Sequence, residues 1–149
     1  MSNPVVGTYK LSQRFNAPLD FVFRWCTDFR EDDNKMIGSK TKRTFLEKGK
    51  TRIVWVVNYK EDGKEKEGIR AVWLKPPNAW HLDTCGDGRE LGEYTLKSLG
   101  KNKTRLDMVF RVTYDSKAEV ESKEELEKDG NDHWAKYAEY LEKDYSRTK

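Results

Sequence analysis

From residue 41 onward the chain repeats one device, a stretch rich in β-branched and aromatic residues closed by a glycine-containing turn. The turns are Lys48-Gly49-Lys50, Glu61-Asp62-Gly63-Lys64, Gly86-Asp87-Gly88 and Gly100-Lys101-Asn102-Lys103, while Pro76-Pro77 ends one further run. Asp62-Gly63 is the strongest hairpin signal among them, because both residues tolerate the positive φ that a tight two-residue turn demands. The spacing predicts strands over about 41–47, 51–60, 65–74, 79–85, 89–99 and 104–114. In the last of these Leu106, Met108, Phe110, Val112 and Tyr114 alternate with Arg105, Asp107, Arg111 and Thr113, so one face is covered and the other meets water. Residues 5–15 add a seventh strand, with Tyr9, Leu11 and Phe15 on one side and Lys10, Ser12 and Arg14 on the other. Strands joined mostly by hairpins are mostly antiparallel.

The hydrophobic period changes twice. After Asn16-Ala17-Pro18, the residues Leu19, Val22, Phe23 and Cys26 recur at helical spacing, with Pro18 suited to a first helical position and Asp20 to the positive end of the dipole. Phe15 is expected to end the strand facing the core. Val22, Phe23 and Cys26 should line the inner side of the helix, and Phe21 and Trp25 should pack on the sheet edge or on a second short helix that follows. Residues 30–40 are polar around Met36-Ile37 and read as a connection or a second short helix ending at Gly38. Near the C-terminus Ser122 and Glu125 form a capping box. Leu126, Gly130, His133, Trp134, Tyr137, Ala138, Leu141 and Tyr145 then gather on one broad helical face. Gly130, at a cost of about 1 kcal/mol against alanine, is expected to bend or fray that helix.

Composition limits what this architecture can do. The 149 residues suit a single domain spanning 1–149, and five Trp, seven Tyr and six Phe supply bulky rings for its interior. The 29 basic and 26 acidic residues are interspersed, which favours solubility over a nucleic-acid footprint. Two cysteines make no secreted disulfide framework, no apolar run approaches the roughly 18 residues of a membrane span, and the first residues lack the layout of a signal peptide. A cytoplasmic protein is expected, with at most transient contact with a membrane surface.

This order of elements is α+β, and the whole of residues 5–146 resembles the helix-grip superfamily of START-related, birch-pollen allergen-like and polyketide cyclase-like proteins. The segment FNAPLDFVFRWCTDF (residues 15–29) looks like that superfamily's step from strand through a small residue and proline into a helix. The ordered hairpins and the terminal HWAKYAEYLEKDY segment (residues 133–145) support it. The resemblance implies a seven-stranded curved antiparallel sheet wrapped around a long C-terminal helix, with two short helices after the first strand. It also implies a cavity between sheet and helix that in many relatives holds a lipid, quinone, polyketide or other apolar ligand.

Ligand pockets are mainly apolar with a few placed polar groups. The walls of such a cavity are expected from Val54 and Val56, or else the alternate set Trp55 and Val57, since both faces of 51–60 are apolar. Trp73, Trp80, Leu82, Tyr94, Leu96, Met108, Phe110 and Val112 follow from the later strands, and His133, Trp134 and Tyr137 from the helix. The same side chains would also suit a solid core. His133 is a candidate acid, base or ligand donor with an ordinary pKa near 6.5, and a half-wet structural rim residue is its plainer reading; function is sought on the helix around it.

His81, Asp83 and Cys85 alternate with Trp80, Leu82 and Thr84 and are placed outward, so no metal site is expected there. The acidic group Asp28, Glu31, Asp32 and Asp33 lacks the spacing of a calcium loop. Neither a cofactor motif nor a nucleophile elbow appears. Lys40, Lys42, Arg43, Lys48, Lys50 and Arg52 gather around the first hairpin, where they suit anionic head groups, RNA or an acidic partner, or the protection of an edge strand. Three functions follow, in descending order. The first is binding or transport of a small hydrophobic ligand by a monomer or weak dimer. The second is a cyclase-, dehydratase- or isomerase-like enzyme using His133, Tyr137, Tyr94 or Glu93. The third is an interaction module like relatives that bind a chaperone or ribosome.

Overall fold

The computed structural model describes residues 3–30 and 40–148. Strand β1 (Val5–Phe15) leads into helix α1 (Leu19–Thr27), and six further strands follow. These are β2 (Lys42–Lys48), β3 (Arg52–Glu61), β4 (Lys64–Lys75), β5 (Ala79–Cys85), β6 (Arg89–Gly100) and β7 (Lys103–Tyr114). A 3-10 turn at Lys117–Glu119 precedes helix α2 (Lys123–Ser146). The second short helix expected around Met36-Ile37 lies outside the described residues, as do Glu31, Asp32 and Asp33.

All seven strands form one curved antiparallel sheet in the order β1-β7-β6-β5-β4-β3-β2. Each consecutive pair from β2 to β7 is a hairpin, and at the β3–β4 turn Asp62 and Gly63 both adopt positive φ (53° and 76°). β1 joins by pairing along its length with β7. That leaves β1 at an edge, where every second amide faces away from its partner strand. Helix α2 supplies the missing acceptors: Lys10 N–H donates to Glu127 (2.7 Å), Ser12 N–H to Asn131 (3.4 Å) and Asn16 N–H to Glu142 (2.7 Å).

Ser122 caps α2, its hydroxyl accepting from Glu125 N–H. The helix then runs unbroken through Gly130, contrary to the expected bend. Leu11 explains the glycine: a Cβ at position 130 would lie 2.6 Å from its Cδ1. Gly130 therefore sits at a close approach of helix and strand.

The solid core sits between the β1-β7-β6 half of the sheet, α1 and the C-terminal half of α2. Phe15, Val22, Leu96, Leu106, Met108 and Leu141 are all wholly buried there. The strand-to-helix step is pinned by Thr104, whose buried hydroxyl donates to the Ala17 carbonyl (2.8 Å). Phe15 and Val22 face inward as their spacing predicts. Phe21 and Trp25 do not pack on the sheet edge. Phe21 lies against Tyr145 (centroids 4.9 Å), while the Trp25 indole donates to Asp144 (2.8 Å), so both hold α1 to α2.

Candidate functional site: a ring-lined cavity between sheet and helices

Away from the solid core, on the β3–β6 half of the sheet, the concave face encloses a cavity of about 180 Å³. Its floor is Trp55, Val72, Trp80, Leu82 and Tyr94, one or two side chains from each of four neighbouring strands. Helix α1 and the residues after it contribute Trp25, Cys26, Phe29 and Arg30, β2 contributes Arg43, and α2 closes the space with Trp134 and Tyr137. Period two puts alternate residues of each strand on this face, and the approach of two helices from one side leaves room where no aliphatic fills it.

The rings are fixed by one another. Tyr94 stacks on Trp80 at 4.9 Å and 11°, and meets Phe110 edge-on at 5.5 Å. Phe110 stacks in turn on Tyr9 at 4.8 Å. Gly92 makes this possible, because a Cβ there would stand 3.0 Å from the Tyr94 ring and 3.1 Å from that of Phe110. Across the cavity Tyr137 sets its edge against Trp134 (5.3 Å) and Trp25 (6.3 Å). At the β2 end the Arg43 guanidinium lies 4.9 Å from the Trp55 ring centre and 5.8 Å from that of Phe29, within cation–π range, and also donates to the Arg30 carbonyl (3.0 Å).

Burial pushes both the Tyr94 phenol and the Cys26 thiol well above their ordinary ionisation ranges, so each stays protonated at neutral pH. The Tyr94 hydroxyl has no hydrogen-bond partner among the described residues. Neither does the indole N–H of Trp55, a residue only 3% exposed. The Trp55 N–H is a buried donor left unpartnered, which is uncommon, since such a group forfeits the bond it would make with water.

Of the side chains expected at a ligand site, the structure brings Trp80, Leu82, Tyr94, Trp134 and Tyr137 together on this wall. Leu96, Met108 and Phe110 are buried in the solid core instead, and half-buried Val112 stands outside the wall. Val54 and Val56 face outward, because the buried set of β3 is Ile53, Trp55 and Val57. Trp73 is also outward and 41% exposed: the β4–β5 register pairs it with His81 and pairs Leu74 with Trp80, so Trp73 and Trp80 cannot share a face.

Two proposed acid–base residues fall outside as well. His133 is exposed, since the 100° advance per helical residue carries it to the margin of the face centred on Trp134, Tyr137 and Leu141. Glu93 neighbours Tyr94 on a strand and so points the other way, where it pairs with Arg111 (3.4 Å) on the wet face. The carboxylate that does share the Tyr94 face is Glu90, which accepts from the Tyr9 hydroxyl and is not on the cavity wall. Its spacing of four from Tyr94 was the available signal. Sequence reasoning also missed Trp25, Phe29, Arg30 and Val72; these converge with Cys26 only once α1 folds back over the sheet.

His81 and Asp83 are half-buried and Cys85 is exposed, opposite in facing to Trp80, Leu82 and Thr84. Among the described residues no three His, Cys, Asp or Glu side chains converge. The basic hairpin is partly spent on its own structure: Arg52 forks onto Glu47 (2.8 and 2.9 Å), Lys48 donates to the Phe29 carbonyl (2.6 Å), and Arg43 turns into the cavity wall. No described helix is long and apolar enough to cross a membrane.

This geometry has solved counterparts. A Streptomyces aromatase/cyclase superimposes with a TM-score of 0.70 at 16% identity, covering 97% of both chains. Norcoclaurine synthase from Thalictrum flavum, solved with dopamine and hydroxybenzaldehyde, gives 0.70 at 10% identity over 99% of this chain and 90% of that one. A START superfamily protein from Mycobacterium smegmatis gives 0.62 at 17% over 99% and 100%. The chain has the helix-grip fold. No family model matches its sequence, and no curated protein does. The helix-grip likeness therefore lives in the backbone.

Proposed function

We propose that this helix-grip protein binds a small hydrophobic ligand, compact and aromatic, in the cavity between β3–β6 and the two helices. The observation that carries this reading is the wall itself: seven of its twelve described residues are aromatic, around about 180 Å³. An apolar cavity of about 150 Å³ is known to take up benzene, so the space suits a single substituted ring or a small fused pair. A sterol or a long acyl chain would not be enclosed.

A second reading, an enzyme acting on the same ring system, is supported by the cyclase and synthase among the similar structures and by Tyr94 and Tyr137 on the wall. It is the weaker one because the described residues of the wall include no carboxylate or imidazole to serve as a base. A third, interaction through the basic hairpin, has less support because several of its cations are already engaged.

Native mass spectrometry of the purified protein, followed by titration with single-ring and bicyclic aromatics read by tryptophan fluorescence, tests the binding reading. Four of the five tryptophans line the cavity, so occupancy should change emission. Binding of single-ring probes is expected, with no binding of palmitate or cholesterol; indifference to every aromatic probe would overturn it.

A further inference from the structure

The charges of this chain are sorted along its strands. Antiparallel order brings the β2–β3, β4–β5 and β6–β7 turns to one end of the sheet. Residues 48–52, 75–79 and 97–103, which make those turns, hold seven Lys or Arg and no Asp or Glu. At the other end, residues 61–64, 86–88 and 115–122 carry Glu61, Asp62, Asp87, Asp115, Glu119 and Glu121 against Lys64 and Lys117. The net charge of +3 thus divides into a basic end and an acidic end.

The three basic turns stand side by side. Leu74 N–H donates to the Thr51 carbonyl (2.8 Å) and Leu96 N–H to the Asn78 carbonyl (2.7 Å), so each turn is bonded to the strand that runs into the next. Two strands separate neighbouring turns, which sets them about 10 Å apart in a row of about 20 Å. Arg52 is committed to Glu47, and Lys48 to the Phe29 carbonyl. Lys50, Lys75, Lys97, Lys101 and Lys103 are exposed, and no ion pair among the described residues engages their ammonium groups. Helix α2 ends against this row, where Tyr145 donates to Asn102 (3.0 Å); Asp144 beside it is held by Arg147 and the Trp25 indole. Leu99 is skipped by the β6–β7 register between Ser98↔Thr104 and Gly100↔Lys103, and its bulged side chain stands 39% exposed among Lys97, Lys101 and Lys103.

We infer that this end of the sheet docks on an anionic lipid bilayer, with the turn lysines over the head groups and Leu99 entering between them. A bilayer surface takes spread ammonium groups on flexible apolar stems, together with an apolar side chain that passes the head groups. A single nucleic-acid strand is held instead by stacking rings and guanidinium groups; the three turns contain no aromatic residue, and their one arginine is bound to Glu47. With the basic end down and the acidic end toward water, the strands stand upright on the membrane. Docking of this kind does not depend on what the cavity holds.

Co-sedimentation of the full chain with vesicles of phosphatidylcholine alone, and of phosphatidylcholine with about 30% phosphatidylserine, tests it. Binding to the mixed vesicles only is expected, and its loss at about 0.5 M NaCl. Lys50→Gln and Lys101→Gln should each weaken binding about fivefold, and the two together about twenty-five-fold. Lys64→Gln makes the same change of charge at the acidic end and should leave binding within about twofold. Leu99→Ser changes no charge and should weaken it at least about threefold.

Indifference to phosphatidylserine, equal losses from Lys64→Gln and Lys101→Gln, an unchanged Leu99→Ser chain, or tighter binding to a mixed-sequence RNA strand than to the mixed vesicles would each overturn the inference. The two vesicle types and the RNA are compared with the wild-type chain alone, so the test does not hang on any variant folding.

Discussion

Replacing Gly130 by alanine sets two opposing effects against each other at the contact between helix and sheet. Alanine is worth about 1 kcal/mol over glycine in the interior of a helix. Against this, the new Cβ would stand 2.6 Å from Leu11 Cδ1, 2.9 Å from Cδ2 and 3.3 Å from Cγ. Because both methyls and the branch carbon are approached, rotating Leu11 does not clear the space, and at 6% exposure it has nowhere outward to go. Overpacking of this kind costs about 1–3 kcal/mol. The larger effect wins, and Gly130→Ala should lose about 1 kcal/mol net, which for a chain of this length lowers Tm by about 2–4 °C.

Urea and thermal unfolding followed by circular dichroism would measure the loss. The decisive control is Leu11→Ala, which alone should cost about 2–5 kcal/mol. In that background the clash is gone and Gly130→Ala should become stabilising by up to about 1 kcal/mol, a reversal of sign that only contacting residues can show. If Gly130→Ala stabilises the wild-type chain, or still destabilises the Leu11→Ala chain, the close-approach argument is refuted.

Four further outcomes follow from the geometry. Asp87 accepts two bonds from Arg70 (2.8 and 2.9 Å) and one from Tyr59 (2.7 Å), and these hold its carboxyl below the ordinary range. A depressed folded-state pKa stabilises above the unfolded value near 3.9 and fades as pH falls through the folded value. Asp87→Asn should therefore cost about 2 kcal/mol at pH 7, with the gap to wild type closing below about pH 4. In the same variant Tyr59, pushed up to about 12 chiefly by its bond to Asp87, should titrate nearer 10 by ultraviolet absorbance. Burial keeps the Cys26 thiol protonated while Cys85 is exposed, so iodoacetamide at pH 8 should label Cys85 well before Cys26 by peptide mass spectrometry. His133 is exposed, so His133→Ala should change both stability and probe affinity by less than about 0.5 kcal/mol.

Much of the fold is local information and was legible as such. Asp62-Gly63, the alternation in 104–114, the step at Asn16-Ala17-Pro18 and the capping box at Ser122 each act within a few residues, where turn chemistry and side-chain period suffice. With the helix-grip resemblance they determined the strand count, the antiparallel order and the terminal helix. Facing was legible only where one side of a strand was polar. In β3 both faces are apolar, and only pairing with β4 decided that Trp55, not Val54 or Val56, turns inward.

Tertiary structure alone decided the site. Trp25, Cys26 and Phe29 reach the cavity because α1 folds back over the sheet. Their partners Trp80, Tyr94 and Tyr137 are more than fifty residues away in sequence. Gly130 looks like a defect in a helix until Leu11 is brought against it. His133 and Tyr137 share a helix and nearly a face, yet the packing of α2 against the sheet exposes one and gives the other to the cavity. Periodicity ranks which side of an element is apolar; how two elements cross decides which part of that side meets a neighbour, and crossing is set by residues far apart in the chain.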